Sequence, residues 1–190
     1  MKRICVFSGS RMGSRSIFQQ AAAALGETIA RQGMELVYGG ASVGLMGVLA
    51  NTVLAAGGRV IGVIPQFLVD KEIAHPNLSE LHVVDSMHQR KALMASLADG
   101  FVALPGGFGT LEEFCEVLTW AQMRLHDRPC GLLNVEGFYD PLIQMFDQAL
   151  HQQFLRPEHR QLVLAHHDPT ALLQLLASQP SHQPTRVNQS

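Results

Sequence analysis

The chain alternates between short, nearly unbroken apolar runs and longer segments in which apolar residues recur at helical spacing. The short runs are Arg3–Phe7, Glu35–Tyr38, Arg59–Ile64, Leu81–Val84, Gly100–Leu104, Cys130–Leu133 and Gln161–Leu164. Helical spacing occupies Ser16–Arg31, Leu45–Ala56, Met87–Ala98, Thr110–Leu125, Tyr139–His151 and Pro169–Ala177. A strand apolar on both sides of its pleat is buried on both faces, the condition of a parallel sheet covered by helices. Regular strand–helix alternation then predicts right-handed crossovers and an α/β fold, a doubly wound, Rossmann-like parallel sheet with helices on both faces. The pattern predicts one domain over residues 1–178 and a polar, frayed tail over 179–190. The longest connection of mixed polarity, Pro65–Ser79, is expected to pass near a site.

In open sheets of this kind, ligands bind beyond the carboxyl ends of the strands, where strand order reverses. Three of the predicted strands end in small, backbone-exposing residues. Ser8-Gly9-Ser10 follows the first, and the run from Gly39-Gly40 through Gly44 to Gly47 follows the second. Pro105-Gly106-Gly107-Phe108-Gly109-Thr110 follows the fifth and leads into a helix with carboxylates near its start. Unpaired N–H groups at a helix start, aided by the helix dipole, attract an anion, most often phosphate. Three such loops at one sheet edge indicate a nucleotide or a sugar phosphate. Two familiar nucleotide motifs are excluded. The dinucleotide pattern G-x-G-x-x-G fails after Gly107-Phe108-Gly109, where Glu112 replaces the third glycine, and no G-x-x-x-x-G-K-[ST] occurs.

Composition narrows the field further. The 190 residues are 47% hydrophobic and 16% charged, which fits a compact globular protein. A formal charge of −2 supplies no basic field for nucleic acid or an anionic membrane. Only Lys2, Lys71 and Lys91 could form a Schiff base, which argues against a pyridoxal phosphate enzyme. Cys5, Cys115 and Cys130 have neither metal-ligand nor disulfide spacing, and the histidines lack zinc-site spacing. Neither a metal nor a cofactor is called for. The apolar run after Met1 stops at Phe7, too short for a signal peptide, so a cytoplasmic location is expected.

Among the charged residues, Glu113 carries two readings. Thr110 and Glu113 have the spacing of a capping box, a structural role, while the adjacent phosphate cradle makes Glu113 a candidate catalytic carboxylate. Arg90 and Lys91 stand near the start of a predicted helix, where cations oppose the dipole and serve better as anion ligands. Glu72 lies in the long connection, Met87 and His88 lie beside the basic pair, and Thr119 and Trp120 lie beyond the carboxylate turn. Ser8, Gly9, Ser10, Gly39, Gly40, Gly44, Met87 and Gly106 are candidate loop contacts to phosphate or nucleotide.

These residues resemble the Lonely Guy (LOG) family of cytokinin riboside 5′-monophosphate phosphoribohydrolases, once widely labelled lysine decarboxylases. The family motif P-G-G-x-G-T-x-x-E is matched by Pro105 through Glu113, and its basic element by Met87-His88-Gln89-Arg90-Lys91-Ala92. Tyr38-Gly39-Gly40, Gly44-Leu45-Met46-Gly47 and Gly131 through Tyr139 are also similar; Ala41 stands where another glycine is usual. The resemblance implies hydrolysis of the N-glycosidic bond of AMP or an N6-modified nucleoside 5′-monophosphate. It implies substrate contacts at Glu72, Arg90, Lys91, Gly107, Phe108, Gly109, Thr110, Leu111, Glu112, Glu113 and Thr119, with Arg90 and Glu113 catalytic. It also implies a homodimer acting on a small-molecule nucleoside monophosphate. The rival readings are a non-hydrolytic nucleotide or cofactor carrier of the same fold and, less in keeping with the lysine count, an amino-acid decarboxylase.

Overall fold

Seven parallel strands form a single sheet in the computed structural model, which describes residues 1–71 and 73–179. The strands are β1 (Arg3–Phe7), β2 (Glu35–Tyr38), β3 (Val60–Pro65), β4 (Glu80–Val84), β5 (Gly100–Ala103), β6 (Cys130–Leu133) and β7 (Val163–His166). Their order is β4-β3-β2-β1-β5-β6-β7. The chain therefore winds outward from β1 to β4, returns to the other side of β1 with β5, and winds outward again. Pairing of Phe7 with Ala103 places the ends of β1 and β5 side by side at this reversal.

The helices are α1 (Ser16–Arg31), α2 (Gly44–Ala55), α3 (Gln66–Val69), α4 (Met87–Leu97), α5 (Phe108–Gln122), α6 (Asp140–His151), α7 (Pro157–Arg160) and α8 (Pro169–Ala177). Strand periodicity sorts the core into two layers. Ile4, Val6, Leu36 and Val102 face α1, α2 and α8, meeting Leu25, Ile29, Leu49 and Leu172. Cys5, Phe7, Val37 and Phe101 face the opposite way, meeting Met94 of α4 and Phe114 and Val117 of α5. Burying each large apolar side chain contributes about 1.5–3 kcal/mol, so these two layers supply most of the drive to fold. At the amino ends of the strands, Glu35 bridges Arg3 (2.6 Å) and Arg59 (3.4 Å), and Arg59 reaches Glu80 (2.5 Å). This ladder braces the edge opposite the glycine loops.

The expected fold class is the one found, with local differences. Helix α5 starts at Phe108 instead of Thr110, because Gly107 takes the cap position. The last strand lies two residues later than expected, at Val163–His166. Two short helices, α3 and α7, were not foreseen, since four residues carry no readable period. The three cysteines are free, with Cys5 and Cys130 buried and Cys115 half-buried. Burial pushes all three thiols up, so none is a ready nucleophile. Trp120 packs against the α4–α5 layer. No helix among the described residues is long and apolar enough to cross a membrane. Of the expected tail over 179–190, residues 180–190 lie outside the described residues.

Candidate active site

The three glycine-rich loops are tied to one another by their backbones. Gly9 N–H donates to the Pro105 carbonyl (3.2 Å), and Leu45 N–H donates to the Gly9 carbonyl (3.0 Å). The loop after β1 is thus clamped between the other two. Gly44 closes this contact with φ +59, and a side chain there would strike the carbonyl carbon of Ser10.

The loop after β5 ends as the mouth of α5. Gly107 is the N-cap and offers no side-chain acceptor, and the first turn carries no acid. The first helix N–H with a backbone acceptor is Leu111, which donates to the Gly107 carbonyl (3.1 Å). The N–H groups of Phe108, Gly109 and Thr110 are therefore left pointing out of the helix end, the arrangement that binds phosphate. Cβ atoms built on Gly107 and Gly109 would meet nothing within 4 Å, so the cradle is open. Phe108 stands beside it, 94% exposed. Gly106 is different, since a side chain there would run into the Thr110 hydroxyl.

The expected capping box does not form. With Gly107 as cap, Thr110 sits at the third helical position, and Glu113 is too far along to reach the cap N–H. Glu113 turns inward instead, 7% exposed, with its Oε1 3.2 Å from Nη2 of Arg90. Arg90 reaches it from α4 and is 9% exposed. Its guanidinium lies in the slot left by the absent side chain of Gly39, where a Cβ would collide with Nη2. The Arg90–Glu113 contact is an ion pair without an aligned hydrogen bond: Glu113 Oε1 and Arg90 Nε both lack a hydrogen-bond partner. Burial pushes the Glu113 carboxyl above its ordinary range, against the opposing pull of Arg90. Such a carboxyl can take up a proton more readily than an exposed one.

Lys91 points the other way along the same interface. It contacts Glu112 closely and Glu116 at 3.1 Å, so one ammonium joins α4 to two carboxylates a turn apart on α5. Burial pulls its pKa down, but the hydrogen bonds to Glu112 and Glu116 outweigh this and hold it up. Ser86 caps α4 by accepting from Gln89 N–H (3.2 Å), and the Met87 sulfur lies 3.7 Å from Arg90 Nη1. The Ser8 hydroxyl, at the end of β1, is buried without a partner.

The structure therefore brings together Ser8, Gly9, Gly39, Arg90, Lys91, Gly106–Thr110, Glu112 and Glu113. Thr119 stands apart, about 16 Å along α5 from Phe108 at the rise of a helix, with its hydroxyl donated to the Cys115 carbonyl (2.7 Å). His88 is exposed. Leu111 is half-buried against the core and offers the site only its backbone. Gly40 and Gly44 serve internal packing, against Ile64 and Ser10. Glu72 lies outside the described residues. Sequence reasoning missed Glu116 as a partner of Lys91, although its spacing of four from Glu112 puts both on one helix face.

A doubly wound sheet with an open helix N-terminus beside a buried carboxylate–guanidinium pair defines an α/β protein with a candidate ligand site at the carboxyl edge of its strands. Comparison with known proteins is specific. The family described as "Possible lysine decarboxylase" matches residues 46–176. The cytokinin riboside 5′-monophosphate phosphoribohydrolase LOG of Oryza sativa subsp. japonica is 47% identical over 90% of this chain and 69% of its own. LOG3 of Arabidopsis thaliana, of the same name, is 47% identical over 90% and 78%. Among solved structures, the molybdenum cofactor carrier protein of Chlamydomonas reinhardtii superimposes with a TM-score of 0.69 at 23% identity, covering 94% of this chain and 99% of its own. A molybdenum cofactor binding protein of Rippkaea orientalis gives 0.69 at 23%, covering 94% and 97%. These two share the fold alone. The chain belongs to the LOG family, and it is an enzyme of the N-glycosyl hydrolase class.

Proposed function

We propose that this enzyme hydrolyses the N-glycosidic bond of AMP or an N6-modified adenosine 5′-monophosphate, releasing the free base and ribose 5-phosphate. The observation that carries the reading is the open, acid-free N-terminus of α5 with Glu113 buried beside Arg90 one turn beyond it. The relatives' names supply the bond class, and the cradle supplies the reason for the 5′-phosphate.

In this mechanism the 5′-phosphate accepts hydrogen bonds from the Phe108, Gly109 and Thr110 N–H groups, with the Ser8 hydroxyl a further donor. Holding the phosphate fixes the ribose, so binding energy far from the reacting bond is used to align it. As C1′–N9 lengthens, positive charge grows on the ribose and Glu113 stabilises it. A water oxygen forms the new bond to C1′ while the C1′–N9 electron pair leaves with the base. The water's proton passes to Glu113, and the base regains a proton from solvent. Arg90 keeps Glu113 ionised until that transfer and orients the nucleotide. Lys91, paired with Glu112 and Glu116, sets the spacing between α4 and α5. No metal or organic cofactor enters.

The same proposal includes a homodimer, supported by apolar side chains on the surface, among them Phe108, Leu125 and Phe154. Light scattering on the purified protein reads its mass directly.

Incubation with AMP, isopentenyladenosine monophosphate and the two nucleosides, followed by chromatography, tests the function. Release of base from the monophosphates and not from the nucleosides is expected. Binding of AMP without release of adenine would mean a carrier and end the proposal.

A further inference from the structure

Buried histidine His75 is used by nothing in the mechanism above, yet both of its ring nitrogens are engaged beside the glycine loop. It lies in the connection between α3 and β4, 5% exposed. Its Nδ1 accepts from the Asn77 N–H (3.2 Å), and its Nε2 lies 3.0 Å from Oδ1 of Asn51 on α2. Both contacts are satisfied by one form of the ring only, the neutral tautomer protonated at Nε2. The flanking backbone is laid on the glycine loop like a short extra strand. Ser42 N–H donates to the Ile73 carbonyl (2.9 Å), Ala41 and Ala74 form an antiparallel bridge, and His75 N–H donates to the Gly40 carbonyl (2.9 Å). Gly39, the next residue back, is the slot that holds the guanidinium of Arg90.

We infer that His75 is a positioning residue for the reaction: its imidazole straps Ile73–Asn77 across Gly40–Ser42 and thereby fixes the floor on which Arg90 lies. The inference rests on the hydrolytic reading given above. Its logic is mechanical. Segment 73–77 has no regular secondary structure beyond the Ala41–Ala74 bridge, so without the ring it is joined to α2 by nothing among the described side-chain hydrogen bonds. The floor under Arg90 would then depend on the loop's own contacts, its backbone hydrogen bonds and the Ser42 hydroxyl donated to the Ile73 carbonyl (3.2 Å).

The molecule contains its own control. His126 makes the same pattern, with Nδ1 accepting from Arg128 N–H (3.1 Å) and Nε2 2.9 Å from the Val117 carbonyl. It stands at the far end of α5, with its ring against Phe101, remote from the cradle. Loss of an imidazole hydrogen-bonded through both ring nitrogens is thus common to both sites, while the strap belongs to one.

The experiment compares wild type, His75→Ala, His75→Gln and His126→Ala for steady-state AMP hydrolysis, melting temperature and backbone hydrogen exchange. Glutamine keeps an N–H at the position of Nε2 and can still reach Asn51. His75→Ala should lower kcat about 10- to 100-fold with KM for AMP changed less than about threefold, the pattern of a misplaced reacting group. Exchange at the Ser42 and His75 amides should accelerate in the same variant. His126→Ala should lose melting temperature and keep kcat, and His75→Gln should recover most of the lost rate. The inference is overturned if His75→Ala keeps wild-type kcat, or if glutamine is no better than alanine. If wild type releases no adenine, the hydrolytic reading fails by itself. Exchange then still decides whether the strap exists, since unchanged protection at Ser42 in His75→Ala would remove it.

Discussion

Two glycine-rich loops flank the centre of this sheet and look alike on paper, but they do opposite work. In the loop after β2, a side chain on Gly39, Gly44 or Gly47 would collide with Arg90, Ser10 or Ser42 respectively. Those glycines are filled from within, and what they make possible is the close fit of protein to protein. In the loop after β5, Gly107 and Gly109 face open space. Their lack of side chains leaves room that, in the proposed function, the substrate's phosphate fills. A glycine count cannot separate these roles; the volume around each Cα can.

The largest effect that could break this contrast is on Glu113, the acid that both loops serve. Glu113→Gln should reduce adenine release about 10²–10⁴-fold, the usual contribution of a general base, while the melting temperature falls, because the buried Arg90 guanidinium loses its ion-pair partner. Surviving activity would strip Glu113 of its role. Next come the packing glycines. Gly44→Ala should destabilise by about 1–3 kcal/mol through overpacking, read as a lower denaturant midpoint, and more if the positive φ cannot be held. Gly109→Ala, on the open side, should do the reverse: a gain of up to about 1 kcal/mol from helix propensity together with a raised KM for AMP. A matched loss of stability in both alanine variants would erase the distinction between the loops.

The smallest expected effect is in the pH dependence. Burial lowers the pKa of His75 and of His126, so the unfolded chain takes up those protons first. Stability from the neutral rings is complete above the ordinary imidazole value of about 6.5 and is lost as pH falls below it. Glu113 has the opposite sign: its raised pKa means that acidification relieves a buried charge. Calorimetry should therefore show a net fall in melting temperature from about pH 7 to about pH 5, shallower in His75→Gln. The acid limb of kcat should lie above the ordinary carboxylate range of about 4.3. Replacing Arg90 by glutamine should move the limb to still higher pH in whatever rate remains, since the guanidinium holds Glu113 down.

Much of this architecture was legible before any coordinates. Continuous apolar runs such as Val60–Ile64, alternating with helical spacing, pointed to strands covered on both faces and so to a parallel sheet, although the edge strand β4 leaves Leu81 and Val83 exposed. The cradle was legible because glycines at the start of an apolar-periodic helix leave N–H groups exposed. The partnership of Arg90 with Glu113 was suggested by the family motif, but its geometry depends on Gly39, fifty-one positions away from Arg90 in the chain. The capping box was misread because local spacing cannot say which residue a helix takes as its first; Gly107 won that contest over Thr110. The strap at His75 had no local signature at all. Its partners Gly40, Asn51 and Asn77 come together only after the sheet has formed.

The placement of β1 has a consequence for how the molecule comes into being. A chain emerging from the ribosome can lay β1 through β4 beside one another as each is made, yet the other flank of β1 stays bare until Gly100–Ala103 arrives. For that interval the nascent protein carries an apolar strand with free amides along one side, the kind of surface on which chains stick to each other. Docking of β5 covers that flank and, in the same movement, brings the mouth of α5 against the loop after β1. Completion of the sheet's centre and assembly of the candidate site thus depend on the same strand.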